Sequence, residues 1–258
     1  MMKMTILLVA VLAAFPVWSV AGEEQPELDI KALVREKIET VTAEDAAYPG
    51  PKGRGAAIRF LAQHPEESSA PVLDALEKNE DSRARLWILL CINSFNDISI
   101  FDPGADTIVK LLDDQSFGTK FWAIKTVAKM KALSAVPALT ELLRSDTYLF
   151  REAAATALGR IGGQAPIEEL IKLLKDPEHM VRRAVVEALG ELKPPGSKAH
   201  LIGALKDSEQ NLVVRRAIVG ALEKITDSSF DIDPSEWYAP GAGDKRAAKI
   251  KEWLENNK

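Results

Sequence analysis

Val181-Arg182-Arg183-Ala184-Val185-Val186-Glu187-Ala188-Leu189-Gly190 is the stretch that decides the fold. Val181, Ala184, Val185, Ala188, Leu189 and the nearby Leu192 recur at intervals of three and four, which sets them on one face of an α-helix. The phrase returns as Phe150-Arg151-Glu152-Ala153-Ala154-Ala155-Thr156-Ala157-Leu158-Gly159 and as Val214-Arg215-Arg216-Ala217-Ile218-Val219-Gly220-Ala221-Leu222. A second phrase precedes each copy and occurs once more before them: Leu111-Leu112-Asp113-Asp114, Leu142-Leu143-Arg144-Ser145, Leu173-Leu174-Lys175-Asp176 and Ala204-Leu205-Lys206-Asp207, spaced 31 residues apart. Two helices per period make each repeat a helical hairpin. The chain is therefore expected to be all-α, an array that buries neighbour against neighbour and offers a long surface to something else.

Start and stop signals agree with this periodicity. Gly159 and Gly190 are expected to supply left-handed C-caps, and small Ala residues at inward positions let neighbouring hairpins approach. Pro137, Pro166 and Pro195 fall around the first turn of the other helix, where a missing N–H costs little. Toward the N-terminus, Asn79 to Asn93 reads as the second helix of an earlier repeat, followed by an insertion from Ser94 to Pro103. Ala56 to Gln63 and Ser69 to Lys78 read as another hairpin, and Ile30 to Val41 as a leading helix. The Pro- and Gly-rich stretch Ala47 to Gly55 is expected to be a flexible loop, either a lid or a linker. In the tail, Ala247, Ile250, Trp253 and Leu254 fit one face of a helix. Trp237, Tyr238 and Trp253 are read as sealing the last repeat rather than stacking on sugars.

Met1 to Ala21 runs from Lys3 through an apolar core to Ser19-Val20-Ala21, the pattern of a secretory signal peptide. The apolar run is shorter than the roughly 20 residues of a bilayer-spanning helix, and Pro16 interrupts it. The expectation is cleavage after Ala21, a periplasmic or secreted bacterial protein, and no integral membrane segment after cleavage. The organisation follows as a leader at 1–21, an N-terminal helix and loop at 22–55, the repeat array at 56–227 and a C-terminal cap at 228–258. A single Cys91 leaves no intramolecular disulfide, so the fold rests on apolar burial, and its apolar neighbours mark it as a buried helix residue. The chain has 33 Lys and Arg against 38 Asp and Glu, and losing Lys3 with the leader gives a mature net charge of −6. That balance disfavours a general nucleic-acid binder, which wants a concentrated basic face.

The Leu-Leu-x-Asp turn followed by Val-Arg-x-Ala-Ala-x-x-Ala-Leu-Gly resembles the repeat of HEAT-repeat proteins, specifically the short-repeat type named after phycobilisome lyases. The resemblance covers about Pro71 to Asp227, and the tail from Phe230 to Trp237 and from Lys251 to Leu254 is similar to the closing segment of exported bacterial members. It implies a right-handed α-solenoid of HEAT-like hairpins with a C-terminal capping helix. HEAT proteins keep an Asp in the turn and an Arg six residues later. Here the pairs are Asp176 with Arg182, Asp114 with Lys120, Ser145 with Arg151 and Asn79 with Arg85, while two extra residues widen Asp207 to Arg215. The turn carboxylate can accept from exposed helix N–H groups and from the guanidinium of a stacked repeat, which is a structural role.

No catalytic, cofactor-binding or metal-binding residue is assigned, and no cofactor is expected. Iron-dependent hydroxylases of the HEAT-like class place His-Glu pairs on successive helices. This chain has only His64, His179 and His200, none followed by Glu and none at equivalent repeat positions. Phycobilin lyase activity is implied by the family label alone, and export argues against it. Nucleic-acid binding on the concave face, as in HEAT-like DNA glycosylases, is disfavoured by export and charge.

What remains is a non-catalytic protein-interaction scaffold, a monomer that presents its concave face to a peptide or protein. An envelope enzyme or enzyme accessory of the lyase-like group is the alternative. Second helices line the concave side of such arrays. Aligned on Ala184, their outward columns read Leu86, Phe121, Glu152, Arg183, Arg216 and Leu90, Lys125, Thr156, Glu187, Gly220, with Leu89, Ile124, Ala155, Val186, Val219 between them. The expected partner-binding residues are Leu86, Leu89, Leu90, Phe121, Ile124, Lys125, Arg183 and Arg216. This makes the groove apolar toward the N-terminus and polar or basic toward the C-terminus, with the N-terminal helices or the insertion as possible covers of the apolar end.

Overall fold

The computed structural model describes residues 29–43, 51–206, 211–227 and 252. The leader, residues 44–50, Asp207 and the tail with Trp237, Tyr238 and Trp253 lie outside the described residues, so the expected cleavage and the C-terminal cap do too. The chain divides into Met1–Ile30 and Lys31–Lys258, and the architecture below belongs to the second unit.

Twelve α-helices run in order among the described residues: α1 Ile30–Thr42, α2 Pro51–Gln63, α3 Pro65–Lys78, α4 Ser82–Ser94, α5 Ala105–Lys110, α6 Phe117–Met130, α7 Val136–Leu142, α8 Tyr148–Ile161, α9 Ile167–Lys172, α10 His179–Leu192, α11 Ser197–Lys206 and α12 Leu212–Thr226. No strand occurs among them. The chain is an all-α array of helical hairpins, as its sequence period requires. None of these helices is long and apolar enough to cross a membrane.

The hairpins are unequal, and the two repeated phrases explain why. In α5 and α9 the Leu-Leu phrase closes the first helix with a 3₁₀ turn, Leu111–Asp113 and Leu173–Lys175. The second apolar residue of each phrase, Leu112, Leu143, Leu174 and Leu205, is buried. The second helices α4, α6, α8, α10 and α12 stack directly on one another, so that α10 lies against both α8 and α12, and from α6 onward each is longer than the first helix before it. Their buried residues include Ala154, Ala155, Ala184, Ala188 and Ala221, whose small side chains let helix axes approach.

Gly159 and Gly190 do not cap these helices; they lie inside α8 and α10. A Cβ on Gly159 would stand 2.7 Å from Ala188 Cα, and one on Gly190 would stand 2.9 Å from Ala221 Cβ. Each glycine exists to admit the next second helix. The left-handed caps are Lys131 at φ 55° after α6, Lys193 at φ 47° after α10 and Asp227 at φ 50° after α12.

The turn carboxylates are buried, and their guanidinium partner comes from the preceding repeat. Asp176 accepts from Arg151 Nε at 2.8 Å and from Arg151 Nη2 at 3.0 Å, and also from the backbone N–H of Glu178 at 2.9 Å. The hydrogen bonds Arg151 donates to Asp176 raise its pKa. Arg182, six residues after Asp176, instead donates to the carbonyls of Asp176 at 2.7 Å and Pro177 at 2.9 Å. One repeat set earlier, Arg85 reaches Asp114 at 2.8 Å, and Ser116 N donates to the same carboxylate at 2.8 Å. The rung between them is neutral on one side. Ser145 stands in the turn, its hydroxyl accepts from Thr147 N at 3.2 Å, and the stacked residue is Lys120, poised over the Phe150 ring at 5.5 Å. Where the turn loses its carboxylate, the facing Arg becomes Lys. Breaking a buried pair by removing one partner costs about 3–5 kcal/mol, so each ionic rung fixes the register of two repeats.

Three N-terminal expectations change. The stretch Ala47 to Gly55 is not a loop throughout, because α2 begins at Pro51, a residue suited to a first turn. The cap of α4 is Asp81, which accepts from Arg83 N and Ala84 N, while Asn79 sits two residues earlier and accepts from Asp81 N at 3.1 Å. The insertion packs against α3, α5 and α6 through a 3₁₀ turn at Ser99–Gly104. Its Phe95 and Phe101 are buried edge to face with centroids 4.9 Å apart.

Candidate partner-binding face

A helix in the middle of a stack is buried on its floor and on both flanks, leaving one narrow ridge in water. On the second helices that ridge follows every fourth residue. On α6 it comprises Phe117, Phe121, Lys125 and Lys129; on α8, Tyr148, Glu152, Thr156 and Arg160; on α10, His179, Arg183, Glu187 and Glu191; on α12, Leu212, Arg216, Gly220 and Lys224. None of these sixteen positions is buried. On α4 the same ridge reads Ser82, Leu86, Leu90 and Ser94.

Six of the eight expected binding residues lie on this ridge. Lys125 and Arg216 are exposed, and Leu86, Leu90, Phe121 and Arg183 are half-buried. Leu89 and Ile124 do not: they are 0% and 1% exposed and belong to the core. Helical periodicity defines one apolar face per helix, but the flanks of a stacked helix are buried as well. The whole column of Leu89, Ile124, Ala155, Val186 and Val219 accordingly sits between helices. Arg183 is held at 3.4 Å from Glu152 on α8 and 3.7 Å from Glu187 on its own helix.

The sequence reading missed the first-turn column. Phe117, Tyr148 and Leu212 are 50%, 39% and 38% exposed, each opening a second helix one turn before the aligned column of Phe121, Glu152 and Arg216. Phe117 stacks on Phe121 with centroids 6.1 Å apart and tilts against Phe150 at 4.8 Å. Lys125 lies over Phe121 at 5.2 Å. Extending the alignment by one helical turn would have found this column.

At the other end of the ridges a groove of about 930 Å³ opens across α6, α8, α10 and α12. Four cations, Lys129, Lys131, Arg160 and Lys224, and two carboxylates, Glu187 and Glu191, line it. Glu191 is paired with Lys224, and Glu187 with Arg183. Lys129 donates across the stack to the carbonyls of Asn93 and Phe95, both at 2.8 Å. Lys131 and Arg160 make no ion pair among the described residues. The second helices together carry twelve Lys and Arg against four Asp and Glu. The first helices α3, α5, α7, α9 and α11 carry five against eight. Charge is segregated between the layers of a chain whose net charge is −5.

Two of the three histidines bond to a carbonyl four residues earlier. His64 Nδ1 lies 2.8 Å from the Phe60 carbonyl with its ring stacked on Phe60, and His200 Nδ1 lies 3.3 Å from the Gly196 carbonyl. Among the described residues no group of three His, Cys, Asp or Glu could hold a metal ion. Cys91 is buried, and burial pushes its thiol up to about 12.

Comparison with known proteins finds repeats of this kind in part of the chain. HEAT repeats match residues 100–158 and again 145–223. A stretch of 65 residues, 25% of this chain, is 35% identical to the phycobilisome maturation protein of Synechococcus elongatus and spans 31% of that protein. A designed armadillo repeat protein in complex with the peptide (KR)4 superposes with a TM-score of 0.55 at 21% identity, covering 76% of this chain and 99% of the other. A computationally designed armadillo repeat protein for modular peptide recognition gives 0.52 at 21% identity, with coverage of 76% and 99%. These structures show a shared fold of stacked helical repeats.

Proposed function

We propose that this HEAT-repeat protein is a non-catalytic scaffold that binds a peptide or protein segment on the exposed ridges of its second helices. One observation carries the proposal: the same layer presents a row of solvent-exposed aromatic and aliphatic side chains and, beside it, a groove of about 930 Å³. Large apolar side chains grouped on a surface cost solubility, so their retention favours a use for that surface. An array curves toward its more closely packed layer, and Gly159 and Gly190 bring the second helices close. That supports the second-helix layer as the concave side. Buried rungs such as Arg151 with Asp176 hold the spacing of the ridges, so little ordering cost is left for the moment of binding.

The test is to fill the groove. Thr156 lines it in a half-buried position, and Thr156→Trp should abolish capture of the native partner while leaving the melting temperature unchanged. Glu168→Trp, on exposed α9, should leave capture intact. Equal capture by both variants would reject this face. The protein acts as an exported monomer in this account, and N-terminal sequencing of the mature chain should begin at Gly22.

The similarity to a phycobilisome maturation protein favours a second reading, an accessory that assists the maturation of its partner. The two part on turnover: a scaffold stays bound in stoichiometric complex, whereas an accessory releases a changed partner when present in substoichiometric amount.

A further inference from the structure

We infer that the partner segment is acidic, with aromatic or aliphatic residues beside its carboxylates. This rests on the second-helix layer being the binding face. Of the two carboxylates of the groove, Glu191 pairs with Lys224 and Glu187 shares Arg183 with Glu152, so they do not balance the four cations of the lining. Lys131 and Arg160, which line the same groove, have no ion-pair partner among the described residues, so the field left over is positive. On the sixteen ridge positions of α6, α8, α10 and α12, six Lys and Arg stand against three Glu, counter to the negative charge of the whole chain. The excess is therefore a property of this face and not of composition. Carboxylates meeting Arg and Lys form charge-assisted hydrogen bonds, and a basic face on an acidic protein steers an anionic segment into register.

The apolar half of the requirement comes from the other end of the ridges. Tyr148 opens α8, and Arg160, the groove cation without an ion pair among the described residues, lies twelve residues further along the same helix. At about 1.5 Å per residue the two edges are roughly 18 Å apart. A partner lying across the helices therefore meets aromatics on one side and cations on the other. A uniformly anionic polymer would satisfy the cations and leave Phe117, Phe121 and Tyr148 against charge. An acidic segment with apolar residues satisfies both.

The experiment uses the whole mature protein and fluorescein-labelled peptides of four Glu-Glu-Phe repeats, four Gln-Gln-Phe repeats and four Lys-Lys-Phe repeats, with an oligo-dT strand beside them. Fluorescence polarisation should show the Glu probe binding at least about tenfold tighter than the Gln and Lys probes, weakening as salt is raised. Arg160→Glu combined with Lys131→Glu should reduce that affinity about tenfold or more at an unchanged melting temperature. Equal binding of the Gln probe would overturn the inference, and tighter binding of oligo-dT would replace it with a nucleic-acid face. If Thr156→Trp abolishes capture of the native partner while the charge reversals leave it untouched, the face stands and the acidic partner does not. If Thr156→Trp leaves capture intact, the face itself fails.

Discussion

The α4–α6 and α10–α12 steps join the same kind of helix by different means. At the C-terminal step the contact is between backbones: a Cβ on Gly190 would stand 3.0 Å from Ala221 Cα. At the N-terminal step polar side chains clasp the helices. Asn93 Nδ2 donates to Thr126 Oγ1 at 2.5 Å, Thr119 Oγ1 donates to the Ser82 carbonyl at 2.8 Å, and Lys129 reaches the Asn93 and Phe95 carbonyls. Only the buried columns are constrained by stacking, and they are met by Gly and Ala at one end and by Leu, Ile and a polar clasp at the other. The ridge that both ends leave in water is free to carry chemistry, uncharged on α4, aromatic then basic along α6, and charged on α8 to α12.

The largest effect should come from charging a buried column that the N-terminal step depends on. Leu89→Glu buries an unpaired carboxylate in a site that is 0% exposed, and the expected loss is on the order of 5 kcal/mol, enough to abolish a cooperative melt. Leu86→Glu, one ridge away and half-buried, should melt close to the parent. Next come the rungs. Arg151→Ala strips the buried Asp176 of its bidentate partner and should cost about 3 kcal/mol. Lys120→Ala in the same column faces Ser145 instead of a buried carboxylate and should cost below about 1 kcal/mol, because only its contact over Phe150 and a 4.0 Å approach to the exposed Asp113 are lost. Similar losses from the two would show that the ionic rung does no more than the neutral one.

Glycine at two places in the second helices sharpens the contrast further. Gly190→Ala should destabilise by about 1–2 kcal/mol because the added methyl meets Ala221. Gly220→Ala, with nothing within 4 Å of its new Cβ, should stabilise by up to about 1 kcal/mol through helix propensity. The smallest effect concerns Cys91. Burial raises its thiol from 9.0 to about 12, so the folded chain keeps a proton that the unfolded chain releases. Its contribution to stability is constant below about pH 9 and falls as pH rises toward 12. Iodoacetamide at pH 8 should therefore label Cys91 only as fast as the protein opens.

The hairpin array and the identity of the second helices were legible because one phrase repeats every 31 residues and a second follows it. Three things were not. Leu89 and Ile124 looked outward because a helical wheel has no flanks, and only stacking supplies them. Gly159 and Gly190 looked like caps because their other use, admitting Ala188 and Ala221, depends on a neighbour 29 or 31 residues away. A guanidinium from a stacked repeat was expected on the turn carboxylate, but which Arg supplies it was hidden, because the six-residue spacing pairs Asp176 with Arg182 and the carboxylate takes Arg151. Yet the paired change to Lys120 and Ser145 was visible in the sequence once the correct rung was known. The clasp of Asn93, Thr126 and Lys129 carries no repeated signal, since no other repeat has it.

The central claim, that the second-helix ridges receive a protein segment, is tested most directly by site-specific photo-crosslinking in the cells that make the protein. A benzophenone side chain at Thr156, on the ridge of α8, is compared with one at Glu168 on α9. The account predicts a discrete crosslinked partner from position 156 and none from 168, with the product lost when Arg160 and Lys131 are reversed in charge. A partner captured from 168 and absent from 156 would contradict it and move the binding surface to the first helices.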